Sequence, residues 1–363
     1  MDAAGRTPHS PRFAPHRRYE AGALSPIESL SPAWDATLRL LFRPFNRRRW
    51  ISLSIVCLFL GGGTSTAAFQ WGFGTLPIDI HASEFLARAR LVMAEHASLI
   101  VLAVLFSVAL VLSIVYIRCV FRFILVDAVI KQDVSVREAW KRMEPAGRTY
   151  FLWLLALVGV MLVFVCAAAI GSFRYLNFIR EAGDPEWFFS VVLVMELVAV
   201  VGVGVLVAIA ITVTDDLVAP LMYAEHISLP AAWKMVWKMS RRDSATFFFY
   251  VVLRFAVGMG ISIAVLFVLF PVLMGLSSGA LVTAALGIFA LRAVGLAWAW
   301  NPVTFVLGAL ALGIFSSLLF ALLSIIGMPG QVYLQNYGVR FIASRVPSLA
   351  TLCRAAAAQG RTR

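Results

Sequence analysis

Phe151 to Ser172, FLWLLALVGVMLVFVCAAAIGS, runs for 22 residues without a charged side chain. A helix of roughly 20 residues, rising about 1.5 Å per residue, is what crosses a hydrocarbon core. Trp187 to Thr214 is a second such run, interrupted only by Glu196. The whole chain follows the same bias. Of 363 residues, 61% are hydrophobic and 14% charged, with mean hydropathy +0.87, where a soluble domain carries about 45–50% apolar and about 25% charged residues. No water-soluble fold hides that much apolar surface, so the sequence predicts an all-α, polytopic helical membrane bundle.

Six spans are expected, at about 50–70, 97–117, 151–172, 187–214, 247–273 and 303–326. The net charge of +12 orients them. Nine Lys and Arg precede Trp50, seven lie between Arg118 and Arg148, four between Asp215 and Asp243, and five follow Met328. Six spans put these 25 of the 31 basic residues on one side, which the positive-inside rule makes cytoplasmic, together with both termini. The basic balance is thus read as topology and attraction to anionic lipid headgroups, not as nucleic-acid binding. Gly279 to Trp300 is apolar enough for a seventh span, but that would carry the basic tail outside. It is read instead as an interfacial or re-entrant helix over Gly279 to Ala297, ending in an aromatic belt at Trp298 and Trp300. The outer segment after span one is expected to hold a short helix around Ala82 to Ala94.

The flanks read differently. Residues 1–28 are poor in apolar side chains, which predicts a disordered basic arm, and 348–363 form a basic tail behind the membrane domain of 29–347. Leu30, Trp34, Leu38, Leu41 and Phe45 recur at helical spacing with Arg39 and Arg43 opposite, an amphipathic helix for the interface or for the end of the bundle. No cysteine falls in an outer loop and no CxxC occurs, so neither disulfides nor a zinc site is expected.

An element recurs. Ser135-Val-Arg-Glu-Ala-Trp140-Lys aligns without gaps on Ser228-Leu-Pro-Ala-Ala-Trp233-Lys, 93 residues later. Ser135 with Glu138 reads as a capping box, and Ser228 with Pro230 as another helix start. Each predicts a short cytoplasmic amphipathic helix carrying one Trp, ended by Pro145 or Asp243. Met328 to Tyr333 is a looser third copy of Val218 to Tyr223.

These residues carry a resemblance. Ala33, Trp34, Leu40 to Phe45 and Trp50, with Gly61 to Gly63, resemble a family of uncharacterised bacterial multi-pass membrane proteins. Phe123, Val126 to Val129, Ser135 and Glu138 to Trp140 look like the repeating element of that family and of the membrane domain fused to some glycerophosphodiester phosphodiesterases. The resemblance implies a bacterial plasma membrane location. It implies no catalysis, because the catalytic barrel of those fusions has no counterpart here.

Candidate chemistry is sparse. Glu196, about 13 Å into span four at 1.5 Å per residue, is either a proton or cation site or a hydrogen-bonded tie between helices. Gly202 and Gly204 in span four and Gly258 and Gly260 in span five either permit close helix contact or mark flexible points of a substrate path. Arg254 is expected to snorkel, without pairing with Glu196. Asp127, Asp215 and Asp216 end long helices and are expected to pair with Arg118, Arg122 or Lys131. Gly275 to Gly279 matches G-x-S-x-G, with His81 and His96 on the outer side as possible partners for Ser277, although the hydrolase pattern needs a strand and a sharp turn. There is no P-loop, H-E-x-x-H or dinucleotide fingerprint; no cofactor or metal is expected.

The leading expectation is a non-enzymatic scaffold or assembly partner that works with lipid and other membrane proteins, with Trp34, Arg39, Arg43, Trp140 and Trp233 on interfacial helices. The alternative is a small-solute or lipid transporter using Glu196. The most remote is an intramembrane serine protease.

Overall fold

The computed structural model describes residues 24–43, 45–60, 97–182, 186–293 and 302–359, and among them all regular structure is helical. In chain order the helices are α1 (Leu30–Phe42), α2 (Arg47–Phe59), α3 (Ala97–Lys131), α4 (Val136–Ala182), α5 (Glu186–Val213), a π-helical turn (Thr214–Val218), α6 (Ala219–Glu225), α7 (Leu229–Arg242), α8 (Ser244–Ala293), α9 (Pro302–Ala343) and α10 (Pro347–Gln359). Five stretches are long and apolar enough to cross a bilayer: Val104–Lys131, Val136–Tyr175, Val191–Glu225, Ser244–Leu276 and Gly313–Ala343. The chain has the architecture of a multi-pass membrane protein. These five overlap the expected spans two to six, wholly containing those at 151–172 and 247–273. Of the expected first span only its start, α2, is described, and its 13 residues are too short to cross alone. The expected helix at 82–94 and the Trp298 and Trp300 belt lie outside the described residues.

Burial is concentrated at one end of the bundle, the end rich in basic residues. Cys119 to Ile130 of α3, Leu217 to Met222 after α5, and much of Met328 to Ala343 of α9 form one core. By contrast, no residue is buried in the most apolar 18-residue stretch of either α4 or α5. The core closes around two glycines. A Cβ on Gly147 would lie 2.7 Å from the Val120 side chain and 2.9 Å from its Cα, and one on Gly338 would lie 2.7 Å from the Asp216 carbonyl oxygen. Backbone approaches this close need a residue without a side chain.

α1 meets the bundle through its small face. Ala33, Ala36, Thr37, Leu40 and Leu41 are buried, whereas Trp34 remains 54% exposed and Phe42 is exposed beside it. The apolar stripe of the sequence is therefore divided, Leu41 packing into the core and Trp34 and Phe45 facing outward, and the small residues Ala33 and Ala36 let α1 lie against α9. The turn that leads into α1 has a lock that the periodicity did not show. Ser25 N–H donates to Glu28 Oε2 (2.7 Å) and Glu28 N–H to Ser25 Oγ (3.2 Å), a reciprocal capping box.

Two expectations about helix ends are corrected. Pro145 does not end a short helix; it sits inside α4, which runs unbroken for 47 residues. Proline removes one backbone hydrogen bond and strains the preceding turn, but Ala139 before it and Gly147 and Tyr150 after it are packed in the core, so both sides are held in line. Likewise, Gly279 to Ala293 is no separate interfacial or re-entrant helix. It continues α8, which spans 50 residues through Pro271, about 75 Å at 1.5 Å per residue. Residues 294–301 lie outside the described residues.

The aligned segments thus end differently: α7 stops at Asp243 as expected, α4 carries on into a span. Met328 to Tyr333 lies inside continuous α9. What the two segments share is the approach to them, a left-handed residue just ahead, Gln132 (φ 56°) and His226 (φ 51°). Ser135 Oγ lies 3.4 Å from Glu138 Oε2, while Ser228 makes no side-chain cap.

Close packing at Gly338 sets a test. Gly338→Ala is expected to destabilise the protein by about 1–3 kcal/mol, as overpacking does, whereas Gly202→Ala, with nothing within 4 Å of the new Cβ, is expected to be neutral. Thermal unfolding in detergent compares them; equal midpoints would refute the account of the core.

Candidate functional site

The only widening of the helical repeat among the described residues, the π turn at Thr214–Val218, places Asp215 and Asp216 inside the basic end. Single π turns interrupt α-helices frequently at functional sites. Asp216 has no exposed surface. Its carboxylate takes Arg122 Nη2 at 3.2 Å, Arg254 Nε at 2.5 Å and the Tyr250 hydroxyl at 3.3 Å. Asp215 receives Arg122 Nη2 at 3.3 Å and the Tyr150 hydroxyl at 2.5 Å. The two carboxylates and two guanidiniums are formally neutral together and bind α3, α4, α8 and the π turn to one another. α9 closes the group, with Gly338 against Asp216 and Tyr337 stacked on Tyr250 at 5.1 Å between ring centroids.

A second buried carboxylate, Asp127, lies on α3. Lys131 Nζ (2.9 Å), Arg142 Nη2 (3.2 Å) and the Tyr223 hydroxyl (2.7 Å) surround it. The Lys131 pair is the one neighbour readable from sequence, being four residues on along the same helix.

Along α9 the polar chemistry is of another kind. Ser324 Oγ, Gln331 Oε1, both amide atoms of Gln335, Asn336 Oδ1, the Tyr337 hydroxyl and Arg340 Nε are buried without a hydrogen-bond partner. Ser324, Gln331 and Gln335 are seven and four residues apart, so they share one helix face. Arg122 Nε, inside the Asp216 group, is unpartnered too. Buried polar atoms normally find protein partners or ordered water, and a row of them marks a seam fit for water.

The residues singled out from sequence are dispersed. Glu196 accepts a hydrogen bond from Ser172 and ties α5 to α4; it stands about 20 residues, roughly 30 Å, along the helix from Asp216. Gly204 meets only Met161 Cε, at 3.7 Å, Gly258 only Arg254 Nη1, at 3.3 Å, and Gly202 and Gly260 face open space. The expected close contact of α5 with α8 through these glycines is not formed. Arg254 does not snorkel: it turns inward onto Asp216, because a fully buried carboxylate attracts it more strongly than distant water. Asp127, Asp215 and Asp216 do pair as expected, with Lys131 and Arg122. Trp140 packs edge-on against Phe121, Trp233 lies 6.1 Å from Trp153, and Arg39 and Arg43 are exposed.

Gly275 to Gly279 is continuous helix, without the strand and sharp turn of a hydrolase elbow, and the Ser278 hydroxyl donates to the Met274 carbonyl oxygen. His81 and His96 lie outside the described residues. Among the described residues no three His, Cys, Asp or Glu cluster so as to hold a metal ion.

A family of unknown function, DUF7544, matches residues 24–352. The chain belongs to that family. No curated protein and no solved structure matches it. The family match begins one residue before the Ser25–Glu28 cap and ends within α10, so it covers both the Asp216 group and the α9 seam.

Sequence reasoning missed Tyr150, Tyr223, Tyr250 and Tyr337, Arg142, and the α9 amides. The available signal was the hydroxyls and amides themselves, set in otherwise apolar helices, where every polar atom needs a partner.

Removing Asp216 leaves two guanidiniums buried without their shared carboxylate, so Asp216→Ala is expected to cost about 3–5 kcal/mol. Glu196→Gln, which keeps an acceptor for Ser172, should cost under about 1 kcal/mol. Cys353 supplies the readout: burial pushes its thiol up, Arg340 opposing, so in a Cys166→Ser background maleimide at neutral pH is expected to label the Asp216→Ala variant far faster than its parent. Equal labelling rates would show that the pair holds nothing together.

Proposed function

We propose that this chain is a non-enzymatic assembly protein of a bacterial plasma membrane, with six spans and both termini in the cytoplasm. The observation that carries the reading is the uneven packing. The basic end is a complete core of its own, while the most apolar stretches of α4 and α5 bury nothing. Each span keeps its backbone hydrogen bonds internally, and faces left unpacked are available to helices of another membrane protein as well as to lipid. The buried charges support the same reading, since every carboxylate of the Asp216 and Asp127 groups is already taken by Arg, Lys or Tyr, an arrangement for holding helices. The 25 basic residues on one side support the orientation.

A photo-crosslinking residue tests the reading in native membranes. At Leu162 or Val198, 61% and 65% exposed on α4 and α5, it is expected to yield a discrete protein adduct, and at buried Ile124 none. Adducts to lipid alone at both exposed positions would overturn the assembly reading. A phosphatase reporter fused after Arg363 is expected to be inactive, and an active fusion would refute the six-span orientation.

The α9 seam favours a second reading, passage of water or a small polar solute, and moves the path from Glu196 to Gln331 and Gln335. If it holds, Gln335→Leu abolishes solute flux in reconstituted vesicles while Glu196→Gln leaves it unchanged. Vesicles that show no flux with the parent protein would exclude it.

A further inference from the structure

α7 is an amphipathic helix with an unusual outer face. Leu229, Ala232, Val236 and Met239, spaced three, four and three residues apart, are buried against the bundle. The opposite side exposes Lys234, Trp237, Lys238 and Arg241, again at helical spacing, and α7 contains no Asp or Glu. Trp237 is 57% exposed, and the Arg241 guanidinium sits 5.2 Å from the centre of its ring. An indole presented outward between cations is costly in water and favourable where an apolar layer meets a charged one.

The position of α7 says which layer that is. Trp233, one turn before Trp237, rests on Trp153, in the first turn of the charge-free run Phe151 to Ser172. The helix that follows α7 exposes Phe248 and Phe249 at once. α7 therefore lies level with the start of the lipid-facing surface. The acids closest in sequence are engaged elsewhere: the Glu225 carboxylate with the Ser348 hydroxyl, and Asp243 Oδ1 with the Thr246 N–H at 3.4 Å. The outer face stays positive.

We infer that α7 is a binding site for the phosphodiester headgroups of anionic phospholipid. Lys234, Lys238 and Arg241 meet the phosphates and Trp237 enters the glycerol layer. Lys supplies a compact charge, and Arg a forked donor that matches phosphate oxygens. The inference deepens the assembly reading by naming the lipid class at the basic end, and rests on that end facing a bilayer leaflet. It does not require a protein partner at α4 and α5.

The test uses the full chain in mild detergent, titrated with phosphatidylglycerol or phosphatidylcholine, with retained lipid counted by native mass spectrometry. The parent is expected to retain phosphatidylglycerol preferentially, and 0.5 M salt to weaken that preference. A juxtamembrane cation is worth about fivefold in binding, so Lys234→Gln/Lys238→Gln/Arg241→Gln is expected to lose at least about tenfold of it. A control, Arg137→Gln/Lys141→Gln/Arg148→Gln on α4, should keep it. Unfolding midpoints without lipid confirm that both triple variants fold. Trp237→Ala with the cations intact is expected to reduce retention of phosphatidylglycerol but not the salt response. Equal retention of the two lipids by the parent, unchanged retention by the α7 variant, or preferential binding of poly-glutamate over phosphatidylglycerol would each overturn the inference. None of these outcomes bears on crosslinking at Leu162 and Val198, so the two readings fail separately.

Discussion

Asp216 has no contact with solvent, and a carboxylate in that position must be matched by charge and hydrogen bonds or not be charged at all. Arg122 and Arg254 supply the charge and Tyr250 a hydroxyl, from two other helices. Meeting that requirement fixes how α3 and α8 stand relative to the end of α5. Asp215 brings in α4 through Tyr150. The π turn carries both aspartates, which share Arg122, and Gly338 is what lets α9 cover them. Losing one partner of such a group is costly, whereas apolar replacement of the whole group often is not. The arrangement therefore specifies helix positions more than it adds stability.

Beyond this knot the bundle loosens. α4 and α5 remain joined through Glu196 and Ser172 and through Met161 beside Gly204, yet their most apolar stretches bury nothing. Water would not tolerate such surfaces; a bilayer does, since lipid tails are as apolar as the side chains. With no hydrophobic force to pull spans together, packing follows polar contacts and small residues. Those are concentrated at the basic end, at Gly147, Gly338 and the small face of α1. The unpacked faces, the unpartnered amides of α9 and the cationic face of α7 are what the core leaves available for interaction.

Legibility in the sequence varied with the range of the interaction. The five long apolar helices were readable because a run of some 20 apolar residues needs no knowledge of its neighbours. Lys131 beside Asp127 was readable because it is four residues away on one helix. Arg254 was misread because depth along its own helix says nothing of a carboxylate 38 residues earlier on another. Pro145 was misread because its local cost is real, and only packing on both sides overrides it. The α1 stripe was found, and the structure divides it: Leu41 packs into the bundle with Ala33 and Ala36, while Trp34 and Phe45 stay exposed. The Ser25–Glu28 cap was within reach, since Ser-x-x-Glu is a local pattern.

Taken alone, the sequence determined a multi-pass membrane architecture, where five of its apolar helices run, and how its basic residues cluster between the apolar runs. Those properties follow from hydropathy and charge, which each segment carries independently of the rest. Tertiary structure alone decided that Asp216 is the centre, that Arg254 turns inward, that Glu196 serves as a tie between two helices, and that α7 presents its cations and Trp237 outward. These depend on which helices meet, and in a bilayer that is settled by a few buried polar contacts and close glycine approaches between residues far apart in the chain.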